Sequence, residues 1–295
     1  MAKVVVSRSL WIDGPVAEVH HQVRHFQTWP RWIPWLVAAP GFELEFSERG
    51  LSWSGQICGQ GEMRILAEVE NEGIEYEFAT SKPQRVSATM AMRFQAKDGG
   101  TEVTWSYEGE LSWFVFWRKG ALQASREREL QRGLAMLKDL VETGEVRSRV
   151  ECPGPGGCAP FVGVGIRRIA SWEKLEEQRA TDLQVVQKHY PEGEPLTVYE
   201  KGGLRQKGVS YVTGVKLERR PGVVADGMAL FEFPGSEVFT VRHLGDLRHR
   251  GNGWEGGRRH LQVKRLKADR KLAPFEVYEV PDGEEPVVRI VFPLR

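Results

Sequence analysis

The chain has 295 residues, enough for two ordinary domains, and its 41% hydrophobic and 27% charged residues are the proportions of a soluble globular protein. With 41 basic against 40 acidic side chains the formal charge is +1, so no global field argues for nucleic acid or an acidic membrane surface as a partner. Before Arg8 only Val4-Val5-Val6 forms an apolar run, too short for a signal-peptide core or a membrane span, which predicts a cytoplasmic protein with no membrane partner.

In chain order, a strand over 3–11 and the turn Asp13-Gly14-Pro15 lead into a short helix over 16–25, with Pro15 suited to its first turn. The two prolines of Trp29-Pro30-Arg31-Trp32-Ile33-Pro34-Trp35 rule out a long helix and predict a bent connector that buries its rings. Strands follow over 42–46, 51–58, 62–69, 74–80, 86–96 and 101–107, separated by turn signals such as Gly59, Asn71, Gly73 and Gly99-Gly100. Links this short predict an antiparallel meander. Beyond Gly109 the period changes: Phe116, Leu122, Leu130, Leu134, Leu137, Leu140 and Val141 recur on one helical face, predicting a long helix that ends near Gly144.

His21 and His25 have the i,i+4 spacing of a metal face, but no third ligand stands near them, so they read as surface histidines and no metal is expected. Cys58 reads as a small buried hydrophobe. Cys152 and Cys158 flank a Pro-Gly run and could close a small disulfide loop, against which a reducing cytoplasm argues.

The connector 29–35, the strand Gly100-Thr101-Glu102-Val103-Thr104-Trp105 and the helical Gly133-Leu134-Ala135-Met136-Leu137-Lys138 together resemble the START-like, polyketide-cyclase-type SRPBCC family, over about half of the chain. That resemblance implies a helix-grip fold, a curved antiparallel sheet around a long C-terminal helix, enclosing an apolar cavity for lipids, polyketides or other hydrophobic small molecules. Trp32, Trp35, Trp53 and Trp113 are the candidates to line it, although large aromatics equally suit a plain core.

Proline, glycine and charge over 147–159 read as a linker dividing a domain at 1–146 from one at 160–295. The second domain opens with a strand over 161–168, where Gly163-Val164-Gly165 lacks the third glycine and the helix start of a dinucleotide fingerprint; no cofactor is expected. Ser171 is placed to cap a helix over 172–189, and strands follow over 196–200 and 211–218. After Pro221-Gly222 the order begins again: strands over 228–233 and 237–243, a helical stretch to 266, and strands over 275–280 and 288–292. The reading is an α+β protein whose second domain is a duplicated strand-helix-strand-strand unit.

Its second helix carries Gly251, Gly253, Gly256 and Gly257, each weakening a helix by about 1 kcal/mol relative to alanine. Leu247, Trp254 and Leu261, seven residues apart, mark its buried stripe. Arg248, Arg250, Arg258, Arg259, Lys264, Arg265, Lys267, Arg270 and Lys271 read as its solvated face; without an aromatic platform or a helix-turn-helix, direct nucleic-acid binding is not expected.

The duplication is plainest where Pro274-Phe275-Glu276-Val277-Tyr278-Glu279 repeats Pro195-Leu196-Thr197-Val198-Tyr199-Glu200. Alternation puts Phe275 and Val277 on one face and Glu276 and Tyr278 on the other, where the first copy has Thr197 and Tyr199. A pseudo-twofold axis between the halves would bring these strands together, their polar faces lining a shared cleft. Periodicity alone equally allows Glu276 to face water on a half-exposed strand.

These repeats, with His243-Leu244-Gly245 and the terminal Val288-Arg289-Ile290-Val291-Phe292-Pro293-Leu294, resemble the GyrI-like effector-binding domain, a small-molecule module often attached to AraC- and MerR-type transcription regulators of bacteria. The resemblance implies an aromatic-lined cleft that holds hydrophobic, cationic compounds, with Glu276 at its base; Tyr278, Tyr199, Thr197 and Trp254 are the candidate ligand-binding residues around it. Asp246 and Leu247 stand where the family commonly has proline and tyrosine, a departure in one cleft wall.

A buried Glu276 must accept hydrogen bonds, stay protonated or meet a cation. The expected function is therefore a sensor, carrier or sequestering protein for a hydrophobic small molecule. The alternative is a hydrolase or cyclase of hydrophobic natural products with Glu276 as general acid/base; it lacks a nucleophile-base pair or a metal to work with. A partnership with a transcription regulator or gyrase is a third reading, and the oligomeric state is left open.

Overall fold

The computed structural model describes residues 2–111, 119–171, 174–200, 208–279 and 285–295. They form two compact units, Met1–Arg149 and Val150–Arg295. Both are built on large antiparallel sheets with few helices, an α+β architecture.

In the first unit the sheet comprises β1 (Ala2–Ile12), β2 (Phe42–Ser47), β3 (Gly50–Gly55), β4 (Gly59–Val69), β5 (Gly73–Lys82), β6 (Val86–Lys97) and β7 (Gly100–Leu111), in the order β1-β7-β6-β5-β4-β3-β2. Every neighbour pair is antiparallel. Along β7, Val103, Trp105 and Tyr107 are buried while Glu102, Thr104 and Ser106 alternate outward, the period-two pattern of a sheet with one covered face. The long helix α3 (Lys119–Thr143) buries Leu130, Leu134, Leu137, Leu140 and Val141 and packs against β1 and β7, a helix-grip-like arrangement. Ahead of β2, α1 (Val16–Arg24) is followed by a 3-10 helix (Phe26–Arg31) and the single turn α2 (Pro34–Val37), so the proline-rich connector is bent as its sequence requires.

The helix lies close to the sheet. A Cβ at Gly133 would sit 2.4 Å from Cζ3 of Trp105 and 3.2 Å from the Pro34 ring. Gly133→Ala is therefore expected to destabilise the protein by about 1–3 kcal/mol despite alanine's better helix propensity, because overpacking outweighs it. Urea denaturation checks this, and an unchanged or raised midpoint would refute the close approach.

The segment expected to be a linker is instead β8 (Ser148–Cys158), the outermost strand of the second sheet. An edge strand needs a ladder partner on one side only, which is where prolines and glycines such as those of 153–157 are tolerated. The remaining strands are β9 (Phe161–Ala170), β10 (Glu194–Glu200), β11 (Val209–Leu217), β12 (Ala229–Phe233), β13 (Ser236–Gly245), β14 (Phe275–Glu279) and β15 (Val287–Pro293). The order across the sheet is β12-β9-β11-β10-β14-β15-β13-β8. Helix α4 (Leu175–His189) follows β9, and α5 (Gly251–Val263) follows β13.

Among the described residues the N-cap position of α4 falls to Lys174, which makes no side-chain cap bond, and the Ser171 carbonyl oxygen accepts from Lys174 N–H at 3.2 Å. Helix α5 forms in spite of its glycines because they let it approach the sheet. A Cβ would meet Ile290 Cδ1 at 2.7 Å from Gly253 and Phe292 Cε2 at 2.3 Å from Gly257. Leu261 is buried and Leu247 and Trp254 pack with it against Phe239, Val241, Ile290 and Phe292.

All three cysteines are free, and Cys152 is pushed up to about 11 by burial, so its thiol is inert at neutral pH. The rings of His21 and His25 lie 4.0 Å apart, but His25 Nδ1 is engaged by the His21 carbonyl oxygen at 2.8 Å. Among the described residues no group of three or more His, Cys, Asp or Glu is placed to hold a metal ion. No described helix is long and apolar enough to cross a membrane.

Candidate functional site

The two copies of the repeated strand pair with one another at the centre of the second sheet, with Leu196 opposite Val277, Thr197 opposite Glu276 and Val198 opposite Phe275. Burial on both sides follows from this position: Phe275, Glu276, Val277 and Tyr278 are all buried. Phe275 and Val277 join the cluster of Phe161, Leu196, Phe233 and Val291 on one face, while Tyr278 joins the cluster that α5 covers on the other. Glu276 does not face water; its exposure is 0%.

A carboxylate stripped of water needs replacement donors. Glu276 receives them from three elements. Tyr199 of β10 donates to Oε2 at 2.7 Å, Tyr278 of β14 donates to the same oxygen, and Trp254 Nε1 of α5 donates to Oε1 at 2.5 Å. Arg250 Nε, in the turn entering α5, lies 3.1 Å from Oε1 and 3.2 Å from Oε2.

Arg250 is itself more than nine-tenths buried. Its Nη1 donates to the Leu247 carbonyl at 3.0 Å and its Nη2 to Glu176 Oε1. Burial pushes the Glu276 carboxyl up, but the Arg250 charge, the Tyr278 and Trp254 bonds and the Arg179 charge outweigh it and hold the group below its ordinary value. Burial, and then the Glu276 charge, raise both tyrosine hydroxyls far from neutrality. The result is an ionised carboxylate in a preorganised cage.

Helix α4 brings a second arginine. Its buried positions Leu175, Arg179, Asp182 and Val186 follow a helical stripe, so two of the four side chains turned to the protein interior are charged. Asp182 is satisfied by Arg168 Nε, at 2.8 and 2.7 Å, and by the Tyr211 hydroxyl at 3.3 Å. The Arg179 guanidinium sits 4.6 Å from the centroid of the Tyr278 ring, and its Nη2 is 3.3 Å from Glu176 Oε2. Tyr199 and Trp254, both half-buried, meet edge to face with centroids 5.2 Å apart.

The structure thus brings together Glu276, Tyr278, Tyr199 and Trp254. Thr197 is fully buried and lies opposite Glu276 in register, but its hydroxyl pairs with that of Thr213 at 2.8 Å. Arg250, Arg179 and Glu176 were not singled out by the sequence. The place of Arg250 in a basic stretch suggests a solvated face, and the structure corrects this: Arg250 is buried and ion-paired. The signal was its i,i+4 spacing to Trp254, which puts the two on one helix face.

In the first unit Trp32, Trp35 and Trp53 are buried and packed against other rings. Trp35 lies 5.9 Å from Trp53 and 5.5 Å from Phe78, Trp53 stacks on Phe78 at 5.8 Å, and Trp32 meets Trp105 at 5.8 Å. These rings pack on one another in the interior of the first unit. Trp113 lies outside the described residues.

The model of the family described as polyketide cyclase / dehydrase and lipid transport matches residues 1–142, within the first unit. Among solved structures the chain is similar to a structural-genomics target from Chromobacterium violaceum, at 15% identity over 47% of this chain and 97% of that one, with a TM-score of 0.37. It is also similar to the Aha1 dimer from Colwellia psychrerythraea (12% identity, 49% and 98%, TM-score 0.37) and to XoxI from Bacillus cereus (17% identity, 48% and 97%, TM-score 0.38). No curated protein matches the chain.

Proposed function

We propose that this protein binds hydrophobic small molecules as a sensor, carrier or sequestering protein, and that its second unit is a GyrI-like effector-binding module whose site is built around Glu276. One observation carries the reading: a fully buried carboxylate is held at the junction of the two repeats by Tyr199, Tyr278, Trp254 and Arg250. Such a cage is expensive to bury, and the half-buried Tyr199 and Trp254 leave an aromatic rim beside it. The match of residues 1–142 to a family described by lipid transport supports an apolar ligand for the first unit.

The same contacts favour binding over catalysis. A general acid or base works best when it titrates near the operating pH, whereas Glu276 is held low and the tyrosines beside it high. Arg250 already stands beside Glu276 as a cation, so the charge balance of this carboxylate does not require a cationic ligand.

The uncharged apolar dye Nile red tests the reading. The full chain is expected to bind it saturably, and Trp254→Ala, which removes one wall of the rim, is expected to weaken binding about tenfold, in line with the loss of a buried aromatic contact. Non-saturable binding, or an affinity indifferent to Trp254→Ala, would overturn the assignment of the site to the second unit.

A further inference from the structure

We infer that Arg179 and Arg250 form a receptor for the carboxylate of an apolar ligand, and that Glu176 occupies this receptor as a built-in competitor that the ligand displaces. This deepens the reading of the second unit as a small-molecule site and rests on it.

Glu276 has little acceptor capacity left to offer a ligand. A carboxylate has about four lone-pair sites. Those of Glu276 already face Tyr199, Tyr278, Trp254 and Arg250. A cationic ligand would find this acceptor saturated and neutralised. The charges then do not close around Glu276 alone, because beside Arg250 a second guanidinium more than nine-tenths buried, Arg179, lies over the ring of Tyr278, whose hydroxyl holds that carboxylate.

The second negative charge comes from Glu176, in the first turn of α4. Its carboxylate bridges the two arginines, giving Oε1 to Arg250 Nη2 and Oε2 to Arg179 Nη2. This is the two-oxygen geometry in which a free carboxylate would be recognised. Unlike Glu276, the Glu176 side chain is 51% exposed. Glu176 regains water at little cost when it leaves, provided another carboxylate takes over its buried arginine partners, whereas Glu276 has no such exposed side.

The site also has an unmet donor. Arg179 Nε is buried and has no hydrogen-bond acceptor among the described residues. A ligand carboxylate that replaced Glu176 would keep both existing bonds, bring further lone pairs to Arg179, and lay its apolar part against Tyr199 and Trp254. The pair of arginines selects the head group, and the aromatic rim selects the apolar part.

Calorimetric titration of the full chain with dodecanoate, its methyl ester and dodecyltrimethylammonium tests this. Dodecanoate is expected to bind about tenfold more tightly to Glu176→Gln, which removes the competitor, and about tenfold more weakly to Arg179→Gln, with little change for the ester and the ammonium compound. Glu176 lies at the surface, so its variant carries the test even if Arg179→Gln does not fold, which a melting curve shows. Tightening of the ester by the same factor as dodecanoate, or dodecanoate indifferent to Glu176→Gln, would overturn the inference. In that case binding of the ester or ammonium compound that Trp254→Ala weakens would leave the small-molecule reading intact. No binding of any of the three to the wild type would overturn both.

Discussion

Glu276→Gln is expected to lower the stability of the protein by about 3–5 kcal/mol, the range for breaking a buried ion pair by removing one partner. The loss has two sources. Arg250 stays buried without its main counter-charge, since the remaining partner, Glu176, is half exposed. The new amide also turns an N–H group toward donors at Tyr199, Tyr278 or Trp254, whichever oxygen it replaces. For a unit of this size the melting temperature should fall by roughly 10 °C.

Replacing the pair together, as Glu276→Leu with Arg250→Met, should recover much of the loss, because two apolar side chains leave no charge unpaired. Because the carboxyl of Glu276 is held below its ordinary value of 4.5, its ionisation stabilises the fold above that pH, and this contribution is lost as the pH falls through the lower, folded-state value. Urea denaturation of the single and double variants reads all of this. A Glu276→Gln protein as stable as the wild type would show that the carboxylate is not the centre of the cage.

His243 of β13 should make the protein acid-sensitive at a higher pH. Its ring is fully buried, and burial, then the nearby His249 and Arg250 charges, lower it from 6.5 to about 4. The unfolded chain takes up a proton on this imidazole near 6.5 and the folded chain only near 4, so stability is complete above 6.5 and declines as the pH falls toward 4. The full difference is about 3 kcal/mol. Denaturant midpoints between pH 7 and pH 4.5 should fall accordingly, and His243→Gln should flatten that slope whatever its effect on absolute stability. An unchanged slope in the variant would mean that the ring is not held neutral in the fold. The two acid responses separate, since the Glu276 contribution persists until the pH drops below the ordinary carboxyl range.

Much of the fold was legible because its signals are local. Alternation along β7 and the leucine spacing of α3 are properties of neighbouring residues, and each element formed where its period placed it. The repeat of Pro195–Glu200 in Pro274–Glu279 identified a pair of strands that meet in the sheet, with Thr197 opposite Glu276. Where local signals misled, packing had overridden them. The Pro-Gly run of 153–157 has the composition of a linker but lies in an edge strand, and the glycines of α5 have low helix propensity but allow Ile290 and Phe292 to approach.

By itself, then, the sequence determined the periodic elements and marked Glu276, Tyr278, Tyr199 and Trp254, which the fold brings together. It did so because side-chain direction along a strand or helix repeats at fixed spacing. Only the tertiary structure decided that Glu276 is wholly buried, that its cation is Arg250, and that Glu176 spans Arg250 and Arg179. Those facts depend on contacts between residues 74 and 26 positions apart, such as Glu176 with Arg250 and Arg250 with Glu276. An arginine in a basic stretch looks the same whether it faces water or a buried carboxylate; the elements packed around it settle which.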